Sequence, residues 1–218
     1  MYSFYKMSVV QQKSHKENDE KEMNANNYLE VIFMILNRIM DYTKDLDEKT
    51  PSIFDHYCHS QDSDKASIST SSSDSSSGDF DLCCEIDKLD IEDFIINCYK
   101  KMDFNSYLLI LAMMNLDKLL SKNFILTDTN IHKVFFICMM ETQKYYEDEN
   151  FTNKDYAKIC GITTDELLEL ELEFLNYLDF NIFIKDEEYF KYKDNLKNLY
   201  ESSVIINNTY IQNDDDES

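Results

Sequence analysis

Residues able to do chemistry are few in this chain, and most stand apart from the partners such chemistry needs. His56, Cys58 and His59, with Cys83 and Cys84, are metal-ligand types. Their spacing fits no standard zinc site, and adjacent cysteines chelate one ion poorly. We read them as a chance cluster and expect no metal and no cofactor. His132, in the run NIHK, is read as a helix-packing residue, because no nucleophile has a recognisable partner that would make it a base. Gly78 and Gly161 are the only glycines, too far apart for a loop that cradles phosphate. No catalytic residue is therefore expected.

Two charges are more informative. The stretch GITTDELLELELEFL, residues 161–175, has helical periodicity. At about 100° per residue, Leu167, Leu168, Leu170, Leu172, Phe174, Leu175, Tyr177 and Leu178 share one broad arc. Glu166, Glu169, Glu173 and Asn176 share the opposite one. Glu171 falls near the centre of the apolar arc, where an unpartnered carboxylate is expensive. Lys144 lies on one strip with Ile137 and Met140, again a charge at the edge of apolar surface. Each has an ordinary explanation. A lysine snorkels, or pairs locally with Glu147 or Asp148. A glutamate forms a structural ion pair with an internal lysine.

Short regulatory patterns sit elsewhere. Lys16, Glu17 and Asn18 spell KEN, a candidate degron, though coincidence is cheap in so Lys-, Glu- and Asn-rich a chain. Ser71 and Ser76 have aspartates three places on and are candidate sites for an acidophilic kinase, with solvated linker as the default reading.

The elements carrying these residues read as helices throughout. Expected helices span 28–46, 91–102, 105–122, 126–148, 153–160, 164–179 and 186–200. Residues 134–140, VFFICMM, are apolar on every side, which marks the 126–148 helix as central. Gly161 suits a left-handed helix end, and Thr163 with Glu166 fits a capping box opening the next helix. Residues 1–25 are expected to be a disordered arm, 26–202 one domain with a low-complexity Ser/Asp insertion at 60–81, and 203–218 a loose acidic tail.

Composition narrows the class. Hydrophobic residues make up 43% of 218, with one proline and no tryptophan, which favours an all-α fold. A net charge of -22 and a lone arginine, Arg38, argue against nucleic acid and against anionic membranes as partners. The N-terminal segment lacks an apolar h-region, and no apolar run approaches a membrane span. Six cysteines without an extracellular pattern point to a reducing compartment, cytoplasm or nucleus. The sequons at Asn150 and Asn207 would then be inert.

Several of these segments resemble a cyclin box, most closely that of the P-type/U-type, phosphate-signalling branch. LILAMMNLDKLL is similar to that branch's Tyr-Ile-Asp-Arg-Leu core, with Asp117 kept and Lys118 for arginine. LTDTNIHK (126–133), YAKICGIT (156–163), ELLELELEFLNYLDF (166–180) and EEYFKY (187–192) resemble further segments in family order, as do Leu36, Arg38 and Ile39 in the first helix. The resemblance covers roughly 28–48 and 89–200. It implies a single cyclin box of five helices with one flanking helix before and one after. It further implies a non-catalytic regulatory subunit that binds and activates a cyclin-dependent protein kinase as a heterodimer. In that family a lysine ending the central helix and a glutamate inside the fifth meet at the kinase-binding surface, near the start of the kinase C-helix. The matching residues are Lys144 and Glu171. Two departures accompany it. Asn97 replaces an arginine that usually pairs with the aspartate at 117, so Asp117 needs another partner. The Met-Arg-Ala-Ile-Leu substrate-docking patch is missing, so docking of Arg-x-Leu substrates is not expected. The alternative functions are a cyclin-fold adaptor that binds proteins without activating a kinase, and an all-helical enzyme, which the lack of convergent acid, base or nucleophile disfavours.

Overall fold

The computed structural model describes residues 23–44, 54 and 89–215, with side chains as far as residue 206. The KEN triplet, Ser71, Ser76 and the His/Cys cluster at 56–59 and 83–84 lie outside them. Seven α-helices and no strands occur among the described residues: α1 (Ala25–Thr43), α2 (Ile91–Lys101), α3 (Ser106–Ser121), α4 (Ile131–Tyr146), α5 (Asn153–Cys160), α6 (Thr164–Tyr177) and α7 (Asp186–Asp215).

The greasiness of 134–140 has the expected consequence. Every residue from Lys133 to Gln143 is buried, and α4 packs against α2, α3, α5 and α6. Helix α3 is buried almost all round for a related reason: α4 covers one side, and α1 and α7 cover another. Helices α2–α6 thus form the five-helix unit, and α1 and α7 flank it by packing on each other and on α3.

Side chains decide where helices begin. Asn24 accepts from the Asn27 N–H at 2.9 Å, so α1 starts three residues before the expected Tyr28. The α4 helix starts later than 126, because buried Asn130 closes a turn: its Oδ1 accepts from Thr127 N at 2.8 Å and its Nδ2 donates to Ile125 O at 3.1 Å. Thr163 caps α6 by accepting from the Glu166 N–H, but the Glu166 carboxylate lies 2.7 Å from Lys133 Nζ and joins α6 to α4. The reciprocal capping box belongs to α5, between Thr152 and Asp155.

With so little glycine, helix ends use other left-handed residues. Gly161 (φ 72°) ends α5 as expected, while Asp103, Asn123 and Asp179 take positive φ after α2, α3 and α6. Helix α7 corrects one expectation. It runs to Asp215, through residues read as a loose tail from 203, because no glycine or proline interrupts it.

Two neighbouring side chains of α3, Asp117 and Lys118, tie α7 and its approach to the box. Lys118 Nζ donates to the carbonyls of Asn181 and Phe183, each at 3.0 Å. Asp117, which lacked its arginine, accepts from Tyr192 Oη of α7 at 2.7 Å. Burial pushes the Asp117 carboxyl up, and the Tyr192 hydrogen bond pulls it back down.

Candidate protein-docking site

Lys144 is in the last turn of α4 and Glu171 is midway along α6, 27 positions later. The fold brings them together: Lys144 Nζ donates to Glu171 Oε1 at 2.8 Å. Their side chains are 21% and 20% exposed, so the pair is neither sealed in the core nor freely solvated. Among the described residues Lys144 pairs not with Glu147 or Asp148, the expected local alternatives, but with Glu171 and, at 3.5 Å, with Glu141.

Neighbours fix the pair in place. Asn153 Nδ2, at the start of α5, donates to Glu171 Oε2 at 3.3 Å. The Lys144 ammonium stands 5.6 Å from the centroid of the Tyr156 ring, a cation–π arrangement. Tyr156 is itself held, since its hydroxyl donates to Gln143 Oε1 at 3.0 Å and Gln143 Nε2 donates to Met102 O at 2.9 Å. Three helices therefore converge on one ion pair.

Sequence reasoning missed Glu141. It is 5% exposed, one turn below Lys144 on α4. Desolvation pushes its carboxyl up to about 7, the Lys144 charge opposes that, and the Glu171 carboxylate adds to it. Its place directly after the apolar run VFFICMM is the one trace it leaves in the sequence, and that position alone does not distinguish a buried acid from the start of a solvated helix end.

The apolar arc of α6 divides. Leu167, Leu170 and Phe174 are buried, whereas Leu168 is 47% and Leu172 is 56% exposed. Those two leucines flank Glu171 along the helix. Tyr145 and Phe151 are also exposed, and Phe151 touches the Tyr156 ring at 5.6 Å. A partly buried ion pair with exposed large apolar side chains on the same helices and on the segment that joins α4 to α5 is a surface suited to a protein partner.

The other candidates are structural. His132 Nε2 lies 3.0 Å from Leu89 O, with its ring edge-to-face on Phe94 at 5.1 Å. Cys98, Cys138 and Cys160 are buried, and burial pushes the Cys98 thiol up to about 12. No metal-binding cluster occurs among the described residues.

Comparison with known proteins agrees with this architecture. A family model described as Cyclin matches residues 26–182. The chain belongs to the cyclin family. This cyclin is 29% identical over 104 residues to Cyclin-U2-1 of Arabidopsis thaliana, covering 47% of either chain. It is 39% identical over 71 residues to PHO85 cyclin-like protein psl1 of Schizosaccharomyces pombe, covering 33% of this chain and 29% of that one. With PHO85 cyclin-7 of Saccharomyces cerevisiae it shares 36% over 69 residues, 32% of this chain and 24% of that one. It is a cyclin of the U-type/P-type branch, and it spans about half or less of the length of these curated relatives.

Proposed function

We propose that this cyclin is the regulatory subunit of a cyclin-dependent protein kinase, and that it activates the kinase by docking α4 and α6 on the kinase C-helix region. The observation that carries the reading is the Lys144–Glu171 pair, 2.8 Å long and one-fifth exposed, with Leu168 and Leu172 of α6, Tyr145 of α4 and Phe151 before α5 exposed as well. Similarity to proteins named as PHO85 cyclins supports it.

A kinase is active only when its strand lysine and C-helix glutamate pair and its metal-binding aspartate is in place. A cyclin adds no catalytic group. It binds the active arrangement more tightly than the inactive one and shifts the population by that difference. Lys144 and Glu171 supply hydrogen bonds of fixed direction to the C-helix region, and the apolar rim supplies most of the burial. The cysteine usage supports action in the cytoplasm or nucleus.

Co-expression with each cyclin-dependent kinase of the source organism, followed by purification through the cyclin, tests the reading. One kinase is expected to co-purify and to phosphorylate a peptide substrate faster than the kinase alone. A stable complex with no gain in activity would instead support the non-activating adaptor, and no complex with any kinase would remove the proposal.

A further inference from the structure

We propose that Glu141 is a positioning residue of the docking surface, and that it carries a proton whenever a partner covers the Lys144–Glu171 pair. This rests on the docking function just proposed and adds a specific requirement to it.

The geometry supplies the reason. One ammonium serves two carboxylates: Lys144 Nζ is 2.8 Å from Glu171 Oε1 and 3.5 Å from Glu141 Oε1. The longer contact does not make a hydrogen bond, and Glu141 Oε1 is a buried oxygen with no hydrogen-bond partner among the described residues. The groups facing Glu141 are Lys144 on its own helix, Glu171 on α6, Tyr156 on α5 and the Cys138 thiol one turn back on α4, itself influenced by Asp117 of α3. Lys144 is the single cation in that set.

In the free cyclin, water still reaches Lys144 and Glu171, at 21% and 20% exposure, and screens the excess negative charge. A docked partner removes that water. Two carboxylates against one ammonium then leave an uncompensated charge in a dry interface, which is strongly unfavourable. Protonating Glu141 removes it. The neutral acid, buried beside Lys144 and electrostatically in contact with Glu171, then has a proton to offer Glu171, and Lys144 is left to Glu171 and the partner. Its position near neutrality in the free chain, caused first by burial, makes that proton available at little cost.

The test is the pH profile of docking, measured with the full-length cyclin and the kinase that co-purifies with it. Wild-type affinity is expected to weaken about 25-fold between pH 6.5 and 8.5, since the complex keeps one proton that the free carboxyl, at about 7, increasingly lacks over that interval. Glu141→Gln, which is neutral at every pH, is expected to lose that part of the slope and to bind at pH 8.5 at least as tightly as wild type. Equal slopes, or weaker binding by the variant across the range, would overturn the proposal while leaving the docking function standing. If no kinase is captured at any pH, both fall together. Titration calorimetry of the wild-type pair at pH 7.5, in two buffers of different ionisation enthalpy, needs no variant. Net proton uptake is expected, and none would overturn the assignment.

Discussion

Lys144 faces two carboxylates and Glu171 faces one ammonium, so the two truncations are not equivalent. Removing Glu171 leaves Lys144 beside Glu141. Removing Lys144 strands both acids against apolar surface, and a stranded buried charge is the costly outcome. Lys144→Ala is therefore expected to destabilise the chain by on the order of 1–3 kcal/mol, and Glu171→Ala by about 1 kcal/mol or less. Urea midpoints of the purified proteins compare them. Both variants are expected to stay folded, and the double variant to lose kinase activation; undiminished activation would remove the pair from the docking role. Glu141 sets a pH dependence of definite sign. Its carboxyl sits at about 7 in the folded chain against an ordinary 4.5, so the folded state holds the proton through that interval. Stability consequently falls as pH rises from about 4.5 to 7. Glu141→Gln is expected to flatten that decline in a series of urea midpoints, and an unchanged decline would place the titrating group elsewhere. Lys144 and Glu171 were legible in the sequence because each breaks a helical stripe. Glu141 was not, because a helix apolar on all sides has no polar face against which one more charge stands out.

At the scale of helices, periodicity located all seven, while single side chains decided their ends. Asn24 and Asn130 act as caps or turn-formers through bonds that composition does not reveal. The long extension of α7 was missed because a polar, acidic segment reads equally as solvated helix or as loose chain. Missed too was how α7 is held: Tyr192 and Asp117 are 75 positions apart, and nothing local links them. The missing arginine did signal that Asp117 wanted a partner. Tyr192→Phe is expected to cost about 1.5–3 kcal/mol at neutral pH, the range for a hydrogen bond to a charged acceptor. The bond favours ionised Asp117, so the loss should shrink as pH falls and the acid protonates. Thermal melts at pH 7 and pH 4 separate the cases, and an equal loss at both would mean the hydroxyl matters for packing alone.

For the whole molecule, the long connection from α1 to α2 is held at one described point. Phe54 is fully buried, its ring edge-to-face on Phe124 at 5.6 Å, and Phe124 meets Tyr177 of α6 at 5.3 Å. Neither that anchor nor the exposure of Leu168 and Leu172 was legible, since each depends on which distant neighbour covers a helix face. The anchor divides the connection into a part that matters energetically and a part that need not. Deleting residues 60–81 spares Phe54 and takes out roughly half of the chain between α1 and α2, and the entropy of closing a connection changes by only about 0.6 kcal/mol per doubling of its length. It also removes more aspartates than lysines from a chain of net charge -22, which eases self-repulsion. Both effects favour the folded state slightly, so the melting midpoint is expected to stay level or rise by a few degrees, with kinase capture unchanged. Phe54→Ala, a single residue of the same connection, is expected to cost about 3–5 kcal/mol, as for a large buried ring. A deletion that melted lower than Phe54→Ala would reverse that division, and one that folded normally but lost the kinase would assign the serine-rich segment a share of the docking surface.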